Sequence, residues 1–156
     1  MATTITPGTL TVTLTEAITL GGQAQGATNT LTIQSITEVN KRIVNVPTSE
    51  VEIIAMAASN PAAGTFVEAD VRYIRITNLD DTNHVTLTFK NEAGAEFAVK
   101  LDKGESFIYN ADLAGGVVDT FDASGSALTV ALADLVNITA LADTAAVDLE
   151  IFVAGA

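Results

Sequence analysis

The chain has 156 residues, no cysteine, and seven basic against nineteen acidic side chains, giving a net charge of −12. That length fits one domain burying roughly 70% of the surface its unfolded chain exposes, and the lack of cysteine excludes disulfides and thiolate metal sites. The longest apolar run, residues 53–58, is too short to cross a bilayer, and the start MATTITPG has no export-signal pattern, so the chain reads as soluble.

All seven bases lie between Lys41 and Lys103, and the eight acids that follow (Glu105, Asp112, Asp119, Asp122, Asp134, Asp143, Asp148, Glu150) meet no base. Nucleic acid is not an expected partner of such a surface, because phosphate affinity depends on Lys and Arg releasing counterions. The acidity reads first as solubility and second as a docking surface for a basic partner.

Residues 1–8 are uncharged and contain Pro7-Gly8, which suggests an N-terminal arm able to add strand hydrogen bonds to a neighbour's sheet edge. The segment TLTVTLT at 9–15 alternates with period two, and Ile18 and Leu20 keep its parity after a bend near Glu16-Ala17. A glycine-rich loop at 21–27 and a strand starting TLTI at 30–33 would complete a long hairpin. Residues 39–46 read as a strand ended by Pro47, residues 50–56 as strand or core, and AASNPAAGT at 57–65 as a long loop or subdomain joint.

The most legible stretch is 71–110, VRYIRITNLDDTNHVTLTFKNEAGAEFAVKLDKGESFIYN. Val85, Leu87 and Phe89 alternate with Thr86, Thr88 and Lys90, and Phe97, Val99 and Leu101 with Ala98, Lys100 and Asp102. These six apolar residues are expected to face inward together. With turn letters at 78–83, 91–94 and 102–104, the stretch reads as a four-strand meander of antiparallel neighbours. Turns are expected at 113–116 and 122–126 and alternation at 128–132. The alanine-rich segment 132–146 is read as strand against its helix propensity, and 147–153 as a final strand. Roughly ten short strands at regular spacing predict an all-β antiparallel sandwich or jelly-roll-like fold with little helix. The domain reading is an arm at 1–8 and one β domain at 9–156, with the candidate joint at 57–65.

No catalytic, cofactor-binding or metal residue is assigned. His84 is the only histidine and shares the parity of the wet face of its strand, which argues against a base for a nucleophile. Residues 78–83, with Asp70, offer oxygen ligands of the kind calcium prefers, yet lack the EF-hand spacing and are also what a polar turn uses. Asp119 and Asp122 pair by chance among nineteen acids, and six Phe, two Tyr and no Trp leave little to stack on a sugar. The Thr-x-Thr rhythm raises ice binding, but threonine suits any wet pleated face.

The run at 71–110, with LTVTLTEAITLGGQAQGATNTLTI before it and VDLEIFVA after it, resembles small structural proteins of tailed bacteriophages of marine bacteria. The resemblance lies in texture, with threonine-rich strands, Ile-Thr-Asn-Leu-Asp and Lys-Gly-Glu-Ser-Phe, and transfers no functional residue. It implies a non-enzymatic virion protein made in the host cytoplasm and placed on the capsid surface. The implied role is a decoration (cement) protein, a homo-oligomer whose partner is the major capsid protein or another virion protein, with no cofactor, nucleic acid or membrane involved. The alternatives are a tail or neck component, or a carbohydrate- or calcium-binding surface module.

Overall fold

The computed structural model describes residues 4–59, 62–110 and 135–156. Among these the regular structure is strand, apart from one 3-10 turn at Glu68–Asp70. The strands are β1 (Gly8–Thr15), β2 (Thr19–Leu20), β3 (Gln23–Ala24), β4 (Thr28–Ile36), β5 (Glu38–Val46), β6 (Val51–Ala57), β7 (Thr65–Val67), β8 (Val71–Asn78), β9 (Val85–Asn91), β10 (Glu96–Leu101), β11 (Ser106–Asn110), β12 (Leu135–Ala142) and β13 (Val147–Gly155). The turns and strand expected between 113 and 132 lie outside the described residues.

Two sheets pack face to face as a sandwich, one ordered β10-β9-β12-β6-β7 and the other β11-β8-β13-β5. Pairing is antiparallel except between β6 and β7, which run parallel across the 57–65 connection. The alternation of 85–89 becomes an alternation of burial, with Val85, Leu87 and Phe89 buried and Thr86, Thr88 and Lys90 half-exposed on the outer face. Ile74, Ile76, Leu149 and Ile151 meet them from the second sheet, and Phe89 stacks on Phe97 at 4.6 Å and packs against Phe107 at 5.0 Å. The six residues expected inside do face inward, with Phe97 and Val99 half-buried because β10 is an edge strand. The alanine-rich segment is strand at β12, held between β9 and β6, where Ala140 and Ala142 fit the crowded interior. Pairing on both sides outweighs alanine's helix propensity there.

The four-strand meander is corrected. Only β9 and β10 pair as sequence neighbours, while β8 pairs with β11 in the opposite sheet. The stretch is one long hairpin bent at 79–84 and 102–105, so that both arms step from one sheet to the other. Buried Asn78 holds the two bends together. Its Nδ2 donates to the carbonyls of Asn83 (2.9 Å) and Leu101 (3.3 Å), its Oδ1 accepts from the Asp80 amide, and its own amide and carbonyl bond Glu105 and Gly104. Each polar group of this side chain is satisfied, which a buried amide requires.

Candidate assembly surface

The expected hairpin at the start of the chain is present, with β1 and β4 paired over their length and the bend at residues 16–18. Its tip is closed by Gly21 and Gly22, both at positive φ, the geometry of a two-residue turn between β2 and β3. At the bend the two chains come so close that a Cβ on Gly26 would sit 2.0 Å from the Glu16 carbonyl oxygen, which restricts that position to glycine. Gly8, expected in the N-terminal arm, belongs to β1 and pairs with Ile36. Residues 4–7 form no strand, and Ile5 among them is exposed.

The period-two pattern gives the hairpin two unlike faces. One carries the cross-strand threonine pairs Thr11–Thr32, Thr13–Thr30 and Thr15–Thr28 and faces water. They occupy two strands of a ribbon that should twist strongly, not a broad flat array, and threonine's fit to a wet strand accounts for them. The other face carries Leu10, Val12, Leu31 and Ile33 and lies on the outer side of the four-stranded sheet, against Tyr73, Phe152 and Ala154. Tyr73 and Phe152 meet edge to face at 6.0 Å, and burial pushes the Tyr73 hydroxyl pKa up. Here the second sheet is covered on both sides.

That cover is incomplete. A groove of about 320 Å³ runs between Leu10–Leu14 and the sheet residues Tyr73, Arg75, Ile108 and Phe152, and a second opens over Ile108 and Asn110 of β11. The hairpin therefore crosses from the β5 side, where β4 leads directly into β5, to the β11 side. Leu14, which lines both grooves, is 49% exposed, and past the bend Ile18 and Leu20 are 57% and 69% exposed.

At the opposite edge of the same sheet, β5 is paired among the described residues only with β13. Its outer face presents Val39 and Ile43, 56% and 61% exposed, on either side of Lys41. Lys41 reaches Glu150 at 3.0 Å and Arg75 reaches it at 2.5 Å, and the two cations, Arg75 foremost, lower the Glu150 pKa. On the inner side of β5, Arg42 donates to the Ile53 carbonyl and ties the sheets together along that edge.

The residues considered for chemistry are dispersed. His84 precedes β9, its Nδ1 3.6 Å from Asp143 Oδ2, and among the described residues no serine, threonine or lysine side chain bonds it. Asp80 Oδ1 accepts from the backbone amides of Thr82 and Asn83 and from the Asn83 side chain, and these bonds lower its pKa. It closes its own loop. Asp70 stands at the other end of β8, roughly 25 Å away at the usual rise per residue, so the calcium candidates do not converge. Among the described residues no cluster of three or more His, Cys, Asp or Glu is placed to hold a metal. Asp119 and Asp122 lie outside the described residues, and no described helix is long and apolar enough to cross a membrane. What sequence reasoning missed is the second layer. Its signal was Tyr73, an apolar residue breaking strict alternation in VRYIRIT.

No family model matches the chain, nor does any curated protein. The chain is similar to a solved structure described in the words "Bacillus endospore appendages form a novel family of disulfide-linked pili", at 13% identity and TM-score 0.45, over 76% of this chain and 85% of that one. A match of that strength carries no functional weight, and this chain has no cysteine with which to form a disulfide.

Proposed function

We propose that the protein is a structural subunit of a phage virion, a decoration protein that binds and stabilises the outer surface of the capsid. The resemblance of its sequence to phage structural proteins supports the reading. So does one observation of the fold: Leu14, Ile18 and Leu20 on an appendage and Val39 and Ile43 on one strand of a β-scaffold are large apolar side chains left exposed, as a docking protein needs. Decoration works through many weak contacts acting together, so a small apolar patch per copy suffices. The acidic outer surface suits a basic patch on a shell and disfavours packaged DNA.

The test is co-sedimentation of the purified protein with empty shells and with isolated tails of the phage that encodes it. Saturable binding to shells is expected. Binding to tails alone would make the protein a tail component, and binding to neither would overturn the virion reading.

A further inference from the structure

At one place among the described residues a side chain is held at positive φ. Ser35 has φ +62°, a conformation that costs any residue with a Cβ and that serine does not adopt readily. It marks a sharp corner. β4 ends at Ile36 and β5 begins at Glu38, so the single residue Thr37 carries the chain from the ribbon lying across the sheet into the strand at the sheet edge. The Thr37 amide already donates to the Gly155 carbonyl at 2.9 Å. β1 and β4 pair in a sheet of their own, and among the described residues the hairpin meets the sheet beneath it through the side chains of one small cluster, with no shared ladder.

From this corner we infer that the hairpin is an exchangeable arm: residues 34–37 straighten, and the hairpin of one copy takes the seat on Tyr73, Phe152 and Ala154 of a second copy, which returns its own. The pair repeats contacts that the fold already makes within one chain and adds relief at Ser35. A short link under strain favours such an exchange, because only the closed form bears the strain. Backbone outliers of this kind persist where the surrounding structure holds them, and they concentrate at segments that switch. The inference stands apart from the capsid reading.

The sequence pattern suits the open form. In the bent chain the extra residue at Ser35 reverses the alternation, so that Ile36 turns inward with Ile33. In a straight strand over residues 28–46 the alternation runs unbroken, and Leu31, Ile33, Val39 and Ile43 share one face. Val39 and Ile43, exposed on β5 in the closed form, then continue the face by which the hairpin docks, beside the crossover between the two copies. Reciprocal exchange closes as a pair about a two-fold axis.

Ser35 is exposed, so substitutions there change the strain without altering the cluster that holds the hairpin. Ser35→Gly accepts positive φ freely and disfavours an extended strand, while Ser35→Val does the reverse on both counts. Sedimentation velocity after refolding at high concentration should show the dimer association constant falling about tenfold from the wild type to Ser35→Gly and rising by a similar factor in Ser35→Val. Equal dimer fractions in the three proteins, monomer throughout included, would overturn the inference. A second measurement takes Ser35→Val refolded from equal parts of isotope-labelled and unlabelled chains. In its dimer, nuclear Overhauser contacts are expected between Ile33 methyls of labelled chains and the Tyr73 ring of unlabelled ones, since the two residues share one cluster. Contacts confined to single chains would show a dimer of another kind and overturn the exchange. Neither measurement involves shells, so the exchange and the capsid reading fail separately.

Discussion

The sandwich and the hairpin use the same alternation of aliphatic residues and threonine, yet burial holds them very unequally. The sandwich closes two sheets on a shared interior where Ile54, Ile74, Leu87, Ile138, Leu149 and Ile151 have no exposed surface. The hairpin buries one face of its near half on a satellite cluster centred on Ile33, Ile36, Tyr73 and Ala154, and the large apolar side chains of its far half, Leu14, Ile18 and Leu20, are exposed. Stability in such a molecule is not uniform. The sandwich should open only by global unfolding, whereas the hairpin should detach in a separate event of lower free energy.

The largest expected effect is in the shared interior. Phe89→Ala removes a buried ring packed between Phe97 and Phe107 and should cost about 3 to 5 kcal/mol in urea unfolding. A loss under 1 kcal/mol there would show that the two sheets are not tightly packed. Asn78→Ala strips the amide that joins the two bends, leaving buried carbonyls and an amide without partners, and should cost about 1 to 3 kcal/mol. Ile33→Ala should act differently. It loosens the hairpin, so limited proteolysis within 16–27 should quicken while the main thermal transition hardly moves. Were the main transition to fall as it does for Phe89→Ala, hairpin and sandwich would be one cooperative unit. Leu20→Ser at the tip should stay within about 0.5 kcal/mol, as an exposed substitution does.

Acid should separate the two regions as well. The Lys90 ammonium, then the Thr139 hydroxyl, lowers the Glu50 pKa, and Arg75 and Lys41 lower that of Glu150. Asp80 is lowered by its own loop amides and Asp102 by Lys100 and the Lys103 amide. A carboxylate whose folded pKa lies below its unfolded one adds stability that is present above the unfolded value and vanishes as pH falls through the folded value. Sandwich stability should therefore be complete above about pH 5 and decline through about pH 4 and below. The hairpin, with Glu16 its single acid, should show little of this dependence.

Strands were legible in the sequence because period two is a local property: 9–15, 85–89, 97–101 and 147–153 all face as their alternation requires. Pairing was not. The letters Asn-Leu-Asp-Asp-Thr-Asn serve a tight turn and an arch between sheets equally well, and only the burial of Asn78, set by residues 23 and more positions away, distinguishes them. The hairpin was foreseen with its bend, but where it docks depends on Tyr73 and Phe152, far along the chain. Ser35 was invisible too. It adopts φ +62° where β4 takes one extra residue against β1, which turns both Ile33 and Ile36 inward despite their spacing of three. The candidate assembly surface was hidden for a related reason, since exposure of Ile18, Leu20 and Ile43 follows from which sheet ends where they stand.

Hydrogen exchange followed by mass spectrometry tests most directly the view of a firmly packed sandwich bearing a more weakly held hairpin. In dilute protein, amides of residues 9–36 should exchange much faster than those of β8, β9, β12 and β13. Protection of the hairpin equal to that of the interior would contradict the account.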